Sequence, residues 1–455
     1  MQQTTMSANA PGRGPADLGE ADTHMISAPN KDKLAGRRLW IPRMTYAGAR
    51  MVAAAFRSVG IDAAATPQSD ERTLELGGLF SSGEECYPAK ITLGDFLRII
   101  HDDGFDPDRT AFFMPIAQGP CRFGQYSPYL RRVLDDLGYT GVPIISPTSQ
   151  DGYADITAYG GTIMRRMWRG IVAGDLLRKM LLKTRPYETE RGAADQAFER
   201  SLDLVEAAVS DQSLDNRQSL AEMIHALGAA RELFEAVPAR YTRDKPLIGV
   251  VGEIFCRLNT FSNSEAVRQI EAHGGEAWLS DITEWVIYTN WSHKRRLKRQ
   301  RRRLTREALS AAIKHTIQRR DINALSKPFA EHFVGYEEPH NVYRDVLRPG
   351  WPYLPADGAL GEMVLSVGKA IYLHHKGADG IIDISPFTCM NGIISEAVYH
   401  DVAHDLDDLP IRNFYFDDSS SNMQRDLDIF MELAQNYQKR KAIGRRFPAY
   451  FAGAV

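Results

Sequence analysis

Three of the four cysteines in this 455-residue chain stand in the same kind of place. Cys86 lies in SSGEECYPAK, Cys121 in AQGPCRFGQYS and Cys389 in DISPFTCMNG. Each is a short turn containing Gly or Pro, past an apolar segment and ahead of an amphipathic helix. Open α/β sheets bind ligands where strands end and helices begin. A helix N-terminus also favours negative charge, which biases a thiol there toward the metal-ligating thiolate. Three such thiolates meeting in one crevice would form the ligand set of an iron–sulfur cluster with one iron position open. The competing reading makes each cysteine a small buried hydrophobe. Core cysteines usually sit inside elements, however, and these three have Pro or Gly close by. Cys256, in VVGEIFCRLNTFSN, follows another apolar strand without either residue beside it and reads as packing.

The same segment places Glu253, Arg257, Asn259 and Asn263 after a strand. Such groups at a sheet's carboxyl edge suit orienting a substrate or donating hydrogen bonds to cluster sulfides. They equally suit a structural network, with Ser262 or Asn263 capping the next helix and Arg257 pairing with a carboxylate. Lys90 stands one helical turn after Cys86 and reads as an exposed lysine, with Glu84 and Glu85 close by. His374 and His375 end a helix, where the dipole favours cations. No HExxH, GxxxxGK[ST] or GxSxG pattern occurs, so the chain is not expected to hydrolyse ATP itself. Cys121 beside Arg122 could be an activated nucleophile, but no histidine stands out as its base.

Strand-length apolar runs alternate with helical patterns, which indicates parallel βαβ units. The expected fold is α/β, with two flavodoxin-like (Rossmann-like) parallel-sheet domains and a helical segment between them. The expected boundaries are a disordered leader over 1–36, a first α/β domain over 37–150, helices over 151–243 and a second α/β domain over 244–455. Met25 offers an alternative start. A basic helical insertion near 291–345 holds eight Lys or Arg between Lys294 and Arg303. That run reads as a solvated helix face, or as a docking patch for an acidic partner or a phosphate-bearing ligand such as coenzyme A. Aromatic residues are not interleaved with it, which disfavours nucleic acid. A net charge of −3 points the same way. With 44% apolar and 25% charged residues, the composition is that of a soluble globular protein. Four cysteines give no disulfide framework, and neither a secretory signal nor a membrane span is legible, so a cytoplasmic protein without a membrane partner is expected.

The turns CYPAK, MPIAQGPCRFGQYS, GVVGEIFCRLNTFSN and DISPFTCMNGIISE resemble the acyl-CoA dehydratase activase-related proteins. These belong with the 2-hydroxyacyl-CoA dehydratase and benzoyl-CoA reductase subunits and the double-cubane cluster proteins. The resemblance runs over nearly all of residues 37–440, with GPCRFGQY and PFTCMNG its most specific pieces. It implies two α/β domains with a 4Fe–4S cluster between them, held by Cys86, Cys121 and Cys389. Cys256 falls where the family typically has an apolar residue. It further implies an anaerobic protein that takes low-potential electrons from a separate ATP-hydrolysing activator with its own cluster. An acyl-CoA or other small molecule would be the substrate, and dehydration or reduction the reaction. Glu253, Arg257 and Asn259 are then candidates for the shell around cluster or substrate, in a homo- or hetero-oligomer. The alternative is a non-catalytic accessory or scaffold subunit of a dehydratase-like complex.

Overall fold

Short apolar runs bounded by Gly and Pro become the strands of two sheets. The computed structural model describes residues 31–117, 119–148, 153–359, 361–417 and 423–451. Residues 1–30 of the expected leader lie outside the described residues. Lys31–Leu34 form a short 3-10 turn whose Leu34 packs into the core.

The first sheet contains β1 (Arg38–Ile41), β2 (Ala63–Ala65), β3 (Thr110–Phe113) and β4 (Ile144–Ile145), all parallel and in the order β2-β1-β3-β4. The second contains β5 (Leu247–Gly252), β6 (Glu276–Leu279), β7 (Gly380–Pro386) and β8 (Ile411–Phe416), also parallel, in the matching order β6-β5-β7-β8. The chain is therefore α/β with two flavodoxin-like parallel-sheet units. Every residue of β3, β5, β6 and β7 is buried, as expected for parallel strands covered on both faces.

In the first unit the helices are α1 (Tyr46–Arg57), α2 (Glu71–Leu79), α3 (Tyr87–Ile100) and α4 (Tyr126–Asp136). Helix α2 was not expected from the sequence, and Cys86 follows it and not a strand. Asp70 and Thr73 start α2 with a reciprocal capping box. Glycines let α2 and α3 touch: a Cβ at Gly77 would lie 2.1 Å from the Lys90 carbonyl oxygen, and one at Gly94 would lie 1.9 Å from that of Thr73.

Between the sheets run the single turn α5 (Ala154–Thr157) and the helices α6 (Ile163–Thr184), α7 (Ala193–Ser210) and α8 (Asn216–Glu235). The second unit carries α9 (Ile254–Leu258), α10 (Ala266–Ala272), α11 (Ile282–Arg299) and α12 (Arg306–Ser326). It continues with the short α13 (Arg348–Gly350), then α14 (Met363–His375), α15 (Met390–Asp405) and α16 (Met423–Arg440). Val172, Leu177 and Met180 of α6 share one core with Leu39 of the first sheet and Leu247 of the second.

Polar links fix how the sheets meet. Asn259 Nδ2 donates to the Arg43 carbonyl at 2.9 Å, and Arg178 of α6 reaches Asp281 at 3.0 Å and Thr45 at 3.5 Å. Arg43 and Thr45 follow β1, whereas Asn259 and Asp281 follow β5 and β6. The carboxyl edges of the two sheets therefore face one another.

Candidate metal centre

Cys86, Cys121 and Cys389 all occupy the residue just before a helix, with nearly the same backbone. Their φ/ψ values are −72/151, −69/133 and −69/123 degrees. They precede α3, a 3-10 turn (Arg122–Gln125) leading into α4, and α15. None of the three side chains forms a full cap hydrogen bond with its own helix, although the backbone N–H groups of Ala89, Phe123, and Asn391 with Gly392 face the respective sulfurs and lower their thiols. A residue with positive φ lies shortly before each one, at a different distance: Gly83 (96°) three residues before Cys86, Gly119 (114°) two before Cys121 and Thr388 (62°) directly before Cys389. That conformation is strained for a β-branched threonine, and such strain concentrates at functional sites. A fourth turn repeats the Thr388–Cys389 arrangement with a different residue. Gly252, at φ 110°, precedes Glu253, whose φ/ψ is −65/134. The Glu253 carboxylate does cap its helix, accepting from Phe255 N at 2.9 Å and Cys256 N at 2.8 Å.

Electrostatics ties the four turns to one neighbourhood. Burial pushes the Cys86 thiol up, opposed by the Tyr126 hydroxyl 2.7 Å away, with Glu253 and Cys121 raising it further. Cys121 belongs to an exposed residue, yet the protein around its sulfur desolvates it and raises it, and Glu253 and Glu362 add to that. Burial and then Glu253 push Cys389 up to about 12. Cys256 is wholly buried in α9; burial raises its thiol, followed by Glu253, Cys389 and Cys86. Glu253 thus acts on all four thiols. Tyr87, next to Cys86, and Met44 pack from the first unit onto the cluster of side chains that contains Cys256.

The polar residues expected around the site divide between structure and crevice. Asn259 accepts from Ser262 N and donates to Arg43, so its amide joins the two units. Asn263 donates to the carbonyl oxygens of Cys256 and Arg257 and accepts from Ala266 N, which begins α10. Arg257 donates to the Gly252 carbonyl at 2.6 Å. Among the described residues it forms no carboxylate ion pair, contrary to the structural reading of it, because the turn's own carbonyl lies nearer. Among the described residues its Nε and the Ser280 hydroxyl have no hydrogen-bond partner, and both residues line a cavity of about 10 Å³, which suits one water. Glu85 turns back onto Ser82 and Gly83 and so stabilises the loop before Cys86.

Three participants were not singled out from sequence. Tyr126 stands five residues past Cys121 but reaches Cys86. Glu362 accepts from Ile254 N at 3.1 Å and is pushed up to about 8, by burial and then by Glu253. Asp383 of β7 is raised by burial and accepts from Tyr399, Ser385 and Ser395. Only Tyr126 left a sequence signal, its place inside the GQYS motif.

Among the described residues, no three His, Cys, Asp or Glu side chains are arranged to hold a single metal ion. A single ion needs its donors ~2.3 Å from one point, whereas the corners of an iron–sulfur cube hold thiolates ~6–7 Å apart. Three uncapped thiols on separate turns around one carboxylate fit the second requirement in donor chemistry. A groove of about 650 Å³ lies elsewhere, along β8 between α15 and α16. Neither the protein-family models nor the curated proteins contain a match to this chain.

Proposed function

We propose that this chain is an iron–sulfur electron-transfer protein in which Cys86, Cys121 and Cys389 hold a 4Fe–4S cluster between two α/β units. The observation that carries this reading is the shared backbone of three uncapped cysteines at helix starts on facing sheet edges. When bound, such a cluster supplies a low-potential one-electron centre with one iron free of thiolate. Helix N-termini behind Cys86 and Cys389 partly offset the burial that holds these thiols protonated, and a bound metal would supply the rest of what the thiolate requires. Ligation expels the thiol protons, so loading is favoured as pH rises. The Tyr126 hydroxyl is placed to donate to the Cys86 sulfur. Glu362, raised to about 8, holds a proton at neutral pH beside the crevice and can deliver it to a reduced small molecule there.

The source of electrons would be a separate ATP-hydrolysing activator with its own cluster, because this chain has no phosphate-binding loop. An acyl-CoA, or another small molecule reduced or dehydrated by one electron, is the substrate class. Mixing the anaerobic protein with a reduced cognate activator and following electron paramagnetic resonance tests this. ATP-dependent reduction is expected. Reduction that proceeds equally without ATP, or never occurs, removes the mechanism and favours an accessory subunit.

A further inference from the structure

The basic run, which the cluster reading leaves unused, occupies the turn between α11 and α12. Lys298, Arg299, Arg301, Arg303 and Arg306 are exposed there. Among the described residues none of these five pairs with a carboxylate, whereas Arg302 is held by Glu307 and Arg295 by Asp357. Arg301 takes a left-handed conformation, φ 58°, that turns the chain from one helix to the next. Leu304 stands at this turn with 102% of its surface exposed. Leu309 and Ile313, one helical turn apart on α12, are 63% and 52% exposed. Leu304, with its whole surface open, forms the tip of the turn.

We infer that the α11–α12 turn is a peripheral contact for an anionic bilayer surface. The arginines would pair with lipid phosphates while Leu304, Leu309 and Ile313 enter the acyl boundary. Guanidinium groups match phosphate oxygens in a fork geometry, and Leu304, fully exposed at the turn between cations, offers an apolar tip that the headgroup boundary can take up. A second copy of the chain is a poor occupant, because it would set the same cations against each other. Nucleic acid uses cations and stacking rings, and leucines contribute to neither. A compliant bilayer accepts a protruding tip without a matching cleft. No helix among the described residues is long and apolar enough to cross a membrane, so this contact is adsorption to a surface. It differs from the expectation of no membrane partner and stands independently of the cluster.

The test is co-sedimentation of the full chain with phosphatidylcholine vesicles, with and without an equal share of phosphatidylglycerol. Binding only to the anionic vesicles is expected, weakening about fivefold for each of Arg301, Arg303 or Arg306 changed to Gln. Leu304→Glu should abolish it with no change in melting temperature, since the side chain has no packing to lose. Equal binding to neutral vesicles, or binding that survives Leu304→Glu, overturns the inference. So does an absence of vesicle binding accompanied by tight, salt-sensitive binding to polyglutamate, which would identify an acidic protein as the partner.

Discussion

The hydroxyl of Tyr126, 2.7 Å from the Cys86 sulfur, can tune a metal centre without ligating it. A donor to a thiolate stabilises the more negative, reduced state and so raises the potential. Tyr126→Phe should make the potential more negative by on the order of 60 mV, the equivalent of ~1.4 kcal/mol for one electron. An unchanged potential in an anaerobic redox titration would show that the hydroxyl does not face the bound cluster. Cys256 provides the opposite case, since it is wholly buried within α9 and Glu253 holds its backbone N–H. Cys256→Ala should leave iron content unchanged, whereas Ala at Cys86, Cys121 or Cys389 should lower it sharply. Equal loss in all four variants would make Cys256 a ligand.

At the level of elements, the site depends on how the chain enters its helices: Cys121, Glu253 and Cys389 follow strands, and Cys86 joins α2 to α3. Gly252 ends β5 with φ 110°, and a Cβ there would lie 2.1 Å from the Ile384 carbonyl oxygen of β7. Gly252→Ala should therefore part β5 from β7 at the edge where Glu253 stands, destabilising the fold by about 3 kcal/mol or more. Denaturant unfolding measures this, and a near-neutral result would mean that the turn relaxes. The strands were legible in sequence because buried parallel strands read as short apolar runs between helical patterns. The cysteine turns were legible through their glycines and prolines. Helix α2 was missed because ERTLELGGL contains two glycines and only a weak apolar stripe. The reach of Tyr126 to Cys86, or of Glu362 to Ile254, depends on how the sheets face each other and leaves no trace in local spacing.

At the scale of the molecule, buried ionisable groups set the pH range of the fold. His374 of α14 is 4% exposed and near Tyr437 of α16; burial and then His375 push it down to about 4. Below pH ~6.5 the unfolded chain takes up a proton here that the folded chain refuses until near pH 4. The histidine's neutral burial is therefore fully tolerated above pH ~6.5. Stability falls as the pH drops toward 4, by up to ~3 kcal/mol. His374→Gln should flatten this acid limb in urea unfolding followed from pH 7 to pH 4, and an unchanged slope would assign the loss to other groups.

The central claim is that three thiolates from facing sheet edges hold one cluster and leave one iron distinct. Mössbauer spectroscopy of the anaerobically purified protein, loaded with ⁵⁷Fe, tests it most directly. The account predicts about four iron per chain, with about one in four in an environment different from the rest. A protein that binds no iron, or one whose irons are all equivalently thiolate-ligated, would contradict it.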